Sequence, residues 1–181
     1  HAGEVVALVG DNGAGKSTFV ALTLAPLLPG SAFVNADEIA RQRWPDDPAA
    51  NSYAAAGIAA DTRAALIEAG RSFIAETVFS QPSKPELIGR AQAAGTLAGV
   101  VFNAGAYTHT SIALHDAIKG AGVPVIEVHI SNVHAREEFR HHSWVSPAAA
   151  GIVIGFGVDG YLVAMDGLVR KFVNSAASKK P

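Results

Sequence analysis

Short runs rich in β-branched residues alternate along this chain with longer Ala-rich stretches of helical spacing. Such alternation is typical of parallel strands that are joined by crossover helices. Six runs are predicted strands: 4–9, 31–36, 72–77, 98–103, 123–130 and 150–156. The predicted helices, several of which end at a glycine, cover 16–28, 49–69, 84–95, 109–121, 133–141 and 158–172. The pattern therefore predicts an α/β fold with three layers, αβα, around an open, doubly wound parallel sheet of about six strands.

The length of 181 residues favours a single domain, and no linker divides the predicted elements. No uninterrupted apolar run is long enough to span a bilayer, so a soluble protein is expected.

The formal net charge is −2 and no basic stripe is visible, which argues against nucleic acid or an anionic membrane as a partner. The chain has no cysteine, which excludes disulfides and thiolate metal sites. A start at His1 without methionine indicates a trimmed or tagged recombinant chain, and residues 173–181 are expected to form a frayed tail.

A glycine-rich motif follows the first predicted strand. Gly10, Gly15, Lys16 and Ser17 match the pattern G-x-x-x-x-G-K-[ST] at the start of a predicted helix. The glycines let successive backbone N–H groups converge on a phosphate, and the helix turns its unsatisfied amides and positive dipole end toward the same anion. Lys16 supplies a cation for the β and γ phosphates, and the Ser17 hydroxyl is placed to ligate Mg²⁺. We therefore expect ATP or another nucleotide, with magnesium, as the ligand; the alternative is a glycine-rich turn that merely starts a helix. The predicted phosphate-binding residues are Gly10, Asp11, Asn12, Gly13, Ala14, Gly15, Lys16, Ser17 and Thr18.

Two further segments resemble the zeta-toxin-like family of small-molecule kinases. They are "VNADEIAR" at 34–41 and "GRSFIAETVFSQPSKPELI" at 70–88. The resemblance implies that Asp37 is the base toward the acceptor hydroxyl and that Glu76, with Thr77, lines the acceptor or metal side. The physics agrees in outline, because a carboxylate at the carboxyl end of a parallel strand faces the ligand crevice.

An alternative interpretation of these carboxylates is purely structural. Asp37 can cap a helix that begins near Glu38, and Glu76 can be a solvated strand end. Kinases of this family also place arginines from a later lid segment on the transferring phosphate. Arg71 and Arg90 do not lie in a recognisable lid of this kind. Without that charge stabilisation, phosphoryl transfer would lose on the order of several kcal/mol of barrier reduction, so we expect little or no kinase turnover.

The second half of the chain closely resembles type II 3-dehydroquinate dehydratase, an enzyme of flavodoxin-like fold. The resemblance lies in "FNAGAYTHTSIALHDAI" at 102–118 and in "VPVIEVHISNVHAREEFRHHSWVSPAAAGIVIGFGVDGYLVAMDGL" at 123–168. It implies that His129 is the proton donor and that Glu127 orients it. Spacing supports this pair independently, because positions two apart on a strand share a face and a carboxylate favours a protonated imidazole. The resemblance also implies how the substrate is bound. Asn103 and His129 would lie at its departing hydroxyl, and the N–H groups of Ile130 and Ser131 would bind its carboxylate. His109 and Arg140 would bind its ring hydroxyls.

The chain also departs from the dehydratase pattern. Ala104 replaces the usual proline of the "NPGAYTHTS" version of the motif. The family's first strand and its mobile lid, which carries an arginine and the tyrosine that abstracts the proton, are replaced by the P-loop half. Tyr53, Tyr107 and Tyr161 do not lie in such a lid, so dehydratase turnover is expected to be nearly or fully absent. The family forms trimers and larger shells in which Asp116 serves a neighbouring subunit, which implies a homo-oligomer unless the changed half forbids that packing.

Together, the two resemblances predict an engineered chimera. A P-loop kinase-like half at 4–95 and a dehydratase-like half at 96–172 would be joined near 95–100, with a natural fusion as the alternative. Both parent families imply a cytoplasmic location. The expected strand order is 2-3-1-4-5-6, which makes strands 1 and 4 neighbours, so the two functional loops are expected to share a crevice. Three functions compete: nucleotide or phosphate binding without turnover, an ATP-dependent kinase that uses Asp37, and a surviving dehydratase that uses His129.

Overall fold

The computed structural model describes residues 5–10, 20–21, 31–71, 73–75, 90–91, 93 and 97–173. Its strands are β1 (Val5–Gly10), β2 (Ala32–Val34), β3 (Phe73–Ala75), β4 (Leu97–Asn103), β5 (Val125–His129) and β6 (Gly151–Ile154). Its α-helices are α1 (Ala36–Arg43), α2 (Ser52–Glu68), α3 (Ile112–Ala121) and α4 (Gly160–Leu168). Each of the six predicted runs overlaps one of these strands, so the prediction of an α/β fold is confirmed.

The strands form two parallel sheets. One sheet has the order β1-β4-β5-β6, and the other pairs β2 with β3. Both arrangements are parts of the predicted order 2-3-1-4-5-6. No ladder joins β3 to β1 among the residues that the structure describes, so one continuous sheet of six strands stays a prediction. Gly10 lies opposite Asn103, and Phe102 lies opposite Glu127, which brings the ends of β1, β4 and β5 to one edge of the larger sheet.

Strands β4 and β5 of the larger sheet are buried on both faces, because successive side chains of a strand point in opposite directions. On one face, Val101 packs in a core cluster with Tyr161 and other residues of α4. On the other face, Phe102 belongs to a second cluster, against which Leu114 of α3 packs. The two helices therefore cover opposite faces of β4 and β5, as the predicted αβα layering requires. Ile74 of β3 belongs to the same cluster as Val101, which joins the small sheet to this core.

Helix α1 is absent from the set of predicted helices. Its start is fixed by Asn35, whose side-chain oxygen accepts the backbone N–H groups of Asp37 and Glu38 at 2.8 and 3.1 Å. An asparagine cap followed by two acidic residues is a strong signal for the start of a helix. The asparagine side chain accepts hydrogen bonds from exposed N–H groups of the first turn, and the acidic side chains complement the positive end of the helix dipole. The alternative interpretation of Asp37 placed a helix start here correctly, but the capping residue is Asn35.

The predicted helix at 133–141 is wrong. The segment forms two short 3₁₀ turns, Val133–Ala135 and Glu138–His141, separated by extended backbone at Arg136 and Glu137. Val133 is its one buried residue, so no apolar stripe exists to hold an α-helix against the sheet. Hydrogen bonds between side chains and the backbone replace those of an α-helix here. One example is the bond from the backbone N–H of His134 to the side chain of Asn132 at 3.1 Å.

The other helix predictions differ mainly at their ends. A 3₁₀ turn at Gly105–His109 precedes α3, which Gly122 ends with a left-handed φ of 62°. The predicted helix at 158–172 is a shorter α4 followed by a π-helical turn at Val169–Val173. The predicted helices at 16–28 and 84–95 lie largely outside the described residues. Within the described ranges, no helix combines the length and the apolar character that crossing a membrane requires.

Candidate functional site

The candidate site lies at the carboxyl edge of the larger sheet. Asn103 is the last residue of β4 and His129 is the last residue of β5. Both side chains are buried, with relative exposures of 4% and 7%. Ligands of open parallel sheets bind outside the carboxyl ends of the strands, because loops and backbone N–H groups gather there. The two residues that the dehydratase resemblance places at the departing hydroxyl therefore end neighbouring strands at this edge.

Glu127 and His129 form the hydrogen-bonded pair that their spacing predicts. They point to the same face of β5, and Nε2 of His129 lies 2.8 Å from Oε1 of Glu127. Glu127 has no solvent-exposed surface. A buried carboxylate that is hydrogen-bonded to an imidazole restricts the orientation of the ring. This arrangement has the chemistry of a proton donor, which is the role that the resemblance implies for His129.

Three hydroxyl groups complete the surroundings of Glu127. The hydroxyls of Thr108 and Ser143 hydrogen bond to Oε1, the latter at 3.0 Å, and the hydroxyl of Ser146 hydrogen bonds to Oε2. Burial by itself raises the pKa of Glu127, but the hydrogen bonds from His129, Ser146 and Thr108 and the charge of His129 outweigh it. The pKa of Glu127 therefore lies below its ordinary value, and the carboxylate is ionised at neutral pH.

Asn103 is oriented by contacts on both atoms of its amide group. Its Oδ1 accepts the backbone N–H of Gly105 at 3.0 Å, and its Nδ2 donates to the hydroxyl of Tyr161 at 2.9 Å. Gly105 has a φ of 58°, a conformation that favours glycine, so the chain turns sharply after β4 and leads into the loop that carries His109. Tyr161 is fully buried in α4. The amide of Asn103 thus links the sheet edge to the helix that covers one face.

His109 and Arg140 lie on the loops beside this edge. The ring of His109 stacks on that of His129 with centroids 6.3 Å apart, and its Nδ1 donates to the carbonyl oxygen of His142 at 2.7 Å. Arg140 donates from Nε to Glu137 at 2.8 Å, and its guanidinium lies 4.8 Å from the ring centre of Phe139. The structure therefore brings His109 to His129. For Arg140 it shows an anchored guanidinium but no direct contact with the donor pair.

Ile130 and Ser131 follow His129 at the end of β5. The carbonyl of His129 accepts the N–H of Gly155 at 3.0 Å, and the carbonyl of Ile130 accepts that of Gly157 at 2.8 Å. These bonds fix the chain where it leaves the sheet. Carboxylate binding by the N–H groups of Ile130 and Ser131 stays a prediction.

Several predicted site residues lie elsewhere or outside the described part of the chain. Asp37 is exposed in the first turn of α1, after β2 of the small sheet, and its role as a base stays a prediction. Glu76 and Thr77 lie outside the described residues, as do the phosphate-binding residues after Gly10. Asp116 is exposed on α3. No group of three or more His, Asp or Glu side chains suited to a metal ion occurs in the described ranges.

Sequence reasoning missed four polar contributors to the site: Thr108, Ser143, Ser146 and Tyr161. Tyr161 is a core residue, and its hydroxyl accepts a hydrogen bond from Nδ2 of Asn103. A buried tyrosine normally needs a hydrogen-bond partner, and that rule could have suggested a link to a site residue. The serines and the threonine carry no comparable signal, because isolated hydroxyl residues are common in loops.

Comparisons with known proteins match the chain to two families, over ranges that overlap at residues 51–87. A family model described as "Dehydroquinase class II" matches residues 51–169, and one described as "ABC transporter" matches residues 1–87. The chain thus combines a P-loop region with a type II dehydroquinase domain. The comparisons do not test the zeta-toxin type or the boundary between 95 and 96, which stay predictions.

Among individual relatives, a 3-dehydroquinate dehydratase of Marinomonas sp. (strain MWYL1) is 75% identical over 83 residues, covering 46% of this chain and 55% of that protein. The catabolic 3-dehydroquinase 1 of Aspergillus fumigatus is 50% identical over 100 residues, covering 55% of this chain and 67% of that protein. This chain spans about half the length of most of the curated relatives it matches. The crystal structure of type II dehydroquinase from Propionibacterium acnes aligns with a TM-score of 0.52 at 28% identity, over 93% of this chain and 98% of that one. The match to the dehydroquinase model covers more than half of the residues, so the chain belongs to the type II dehydroquinase family.

Proposed function

We propose that this chain is a chimera that binds nucleotide phosphate through residues 10–18, next to an inherited dehydroquinase half-site that no longer turns over. The proposal places ATP or another nucleotide in the P-loop. Successive backbone N–H groups and Lys16 would hold the phosphates, and the hydroxyl of Ser17 would ligate Mg²⁺. A bound nucleotide with its metal would supply a transferable phosphoryl group.

One observation carries this proposal: Gly10 lies opposite Asn103 in the parallel ladder between β1 and β4. A P-loop needs a parallel strand that ends at the carboxyl edge, so that the loop and the helix after it can face the phosphate. Strand β1 ends at this edge, and its last residue is the first glycine of the motif. The described part of the chain therefore fits a P-loop. The same register supports a crevice shared by the phosphate and the loop that follows Asn103.

Loss of dehydratase turnover follows from the groups around the half-site. The donor side is present, since His129 is held by ionised Glu127. The proton-abstracting tyrosine of the family lies in a lid that the P-loop region replaces. Tyr107 is exposed on the loop after β4, and the hydroxyl of Tyr161 is buried against Asn103. Neither tyrosine lies in a lid of the kind that the family uses.

Calorimetric titration with Mg·ATP tests the nucleotide site. The wild-type chain should bind, and Lys16→Ala should weaken binding by about tenfold or more, because the cation on the β and γ phosphates is lost. Lys119→Ala is the matched control, since it removes an exposed lysine from the last turn of α3 and should bind as the wild type does. Absence of binding by the folded wild-type chain, or binding that Lys16→Ala leaves intact, would contradict the proposal.

A surviving dehydratase is the second candidate, and the intact pair of Glu127 and His129 favours it. The assay follows the absorbance of the conjugated enone formed from 3-dehydroquinate. We expect no turnover. A clear signal that His129→Ala abolishes and Lys16→Ala leaves intact would establish the dehydratase in place of our proposal.

A third assay distinguishes the kinase alternative from nucleotide binding without turnover. Phosphate release or acceptor phosphorylation that Asp37→Ala abolishes would establish Asp37 as a base. The exposed position of Asp37 in α1 leaves it accessible to an acceptor but provides no activating partner. We therefore expect no turnover in this assay.

A further inference from the structure

The hydrogen-bond network around Glu127 has a defined count of hydrogens. Thr108, Ser143 and Ser146 each have a single hydroxyl hydrogen, and Nε2 of His129 contributes one more. The hydroxyl oxygen of Ser143 also accepts the backbone N–H groups of Val145 and Ser146, at 3.1 and 2.9 Å. The three hydroxyls and Nε2 of His129 all contact the carboxylate, which is acceptor-only when ionised. The hydroxyls of Thr108 and Ser143 also lie 2.7 Å apart, and either can donate to the other. An ionised Glu127 therefore accepts from these groups without having to donate to any of them.

The two oxygens of Glu127 are not equally supported. Oε1 is contacted by Thr108, Ser143 and His129, so the loss of one donor leaves others in place. Oε2 accepts from Ser146 alone among the described residues. Because Glu127 has no exposed surface, water cannot easily replace a missing donor there. Ser146 is thus the hydroxyl on which the charge state of this buried carboxylate depends most.

The charge state of Glu127 determines how His129 is presented. An ionised carboxylate can only accept, so the hydrogen between the two side chains resides on Nε2 of His129. Among the described residues, no hydrogen bond reaches Nδ1 of this ring. Nδ1 is therefore the atom left for a ligand, and it can donate a proton only when the ring is doubly protonated. His129 is the one other titratable group that contacts Glu127 in this network, because the remaining contacts are hydroxyls.

We propose that Ser146 is a positioning residue of the donor side: its hydroxyl keeps Glu127 anionic, which ties Nε2 of His129 to the carboxylate and leaves Nδ1 for the ligand. The proposal deepens the half-site of the proposed function and rests on it only for the presence of a ligand. The charge state and the tautomer are properties of the ligand-free protein. They can be measured whether or not the chain binds nucleotide or turns over any substrate.

NMR spectroscopy of the ligand-free chain tests this role. Carbon-13 labelling of glutamate follows the carboxyl group of Glu127 through a pH titration, with its signal assigned by its absence in Glu127→Gln. Nitrogen-15 labelling of histidine reports the tautomer of His129. We expect the pKa of Glu127 in the wild-type chain to lie below its ordinary value of 4.5 and the neutral ring to carry its hydrogen on Nε2. Ser146→Ala should raise the pKa of Glu127 by about one unit, because one charge-assisted hydrogen bond is lost.

Two further variants separate positioning from general loosening of the fold. Ser146→Thr keeps a hydroxyl and should restore the wild-type titration. Ser52→Ala, an exposed serine at the start of α2, should leave it unchanged. An unchanged titration in folded Ser146→Ala would overturn the proposal. If that variant does not fold, the wild-type titration still decides, because a pKa of Glu127 at or above 4.5, or a neutral His129 with its hydrogen on Nδ1, would equally overturn it.

Discussion

Gly99 lies where β4 packs most tightly against the helix that covers it. A Cβ atom at this position would lie 2.5 Å from Cδ1 of Leu168, 2.9 Å from its Cδ2 and 2.9 Å from the carbonyl oxygen of Pro124. Real Cβ atoms do not approach other heavy atoms this closely, so the substitution Gly99→Ala requires its neighbours to move. It therefore tests the packing of α4 on the sheet directly.

Neither neighbour of Gly99 can move freely. Leu168 is fully buried in the core cluster that contains Tyr161. The carbonyl of Pro124 accepts the N–H of Val100 at 2.9 Å, so a shift would weaken a hydrogen bond at the edge of β5. Overpacking of this kind costs about 1–3 kcal/mol of unfolding free energy. For a domain of this size each kcal/mol corresponds to about 2–4 °C, so the melting temperature should fall by about 2–12 °C.

Gly57→Ala provides a control of opposite sign. Gly57 is exposed in the interior of α2, and a Cβ atom there would meet nothing within 4 Å. Replacing a helical glycine by alanine should stabilise the chain by about 0.5–1 kcal/mol, because alanine loses less backbone entropy on folding. Urea unfolding followed by circular dichroism measures both variants. If Gly99→Ala were as stable as the wild type, or if both variants changed stability alike, the described packing of Leu168 on β4 would be refuted.

Two further predictions concern buried polar groups. Tyr161→Phe should lower the free energy of unfolding by about 1–2 kcal/mol in the same assay, because it removes the hydroxyl to which Nδ2 of Asn103 donates. An unchanged stability would show that this bond contributes nothing. The pKa of Glu127 is lowered by folding, so its ionised form stabilises the native chain above pH 4.5, and this stability should be lost as the pH falls through the folded pKa. Unfolding free energies between pH 7 and pH 3 should show a decline below pH 4.5 that Glu127→Gln reduces; an equally steep decline in the variant would assign the acid sensitivity to other groups.

The positions of the strands along the chain were more predictable than those of the helices. The alternation of β-branched runs with helical stretches located all six strands. Buried strands are rich in β-branched residues, and turn residues separate the strands from the helices. The segment at 133–141 was misjudged because its charged residues gave helical propensity without an apolar face. Helix α1 was missing from the predicted set although Asn35 and the acids after it mark its start.

The contact between Glu127 and His129 was predictable because one strand carries both residues. The period of two in β5 is enough to bring Glu127 and His129 together, and the structure contains their hydrogen bond. The hydroxyls of Thr108 and Ser146 could not be predicted in the same way, because they reach Glu127 from separate loops. Loop conformation depends on tertiary contacts that no short-range pattern encodes.

The hydrogen-bonded surroundings of Glu127 and His129 are supplied by one part of the chain. The described hydrogen bonds of Glu127 and His129 all come from residues of the 97–173 segment, and so do the two described bonds of the Asn103 side chain. The core cluster under α3 also lies entirely within that segment. The first half contributes β1 through a backbone ladder, which any parallel strand of suitable length can form, and a few apolar residues such as Ile74 to the other cluster. A change of partner at β1 thus alters what stands at the edge of the sheet without removing any described donor from the buried carboxylate.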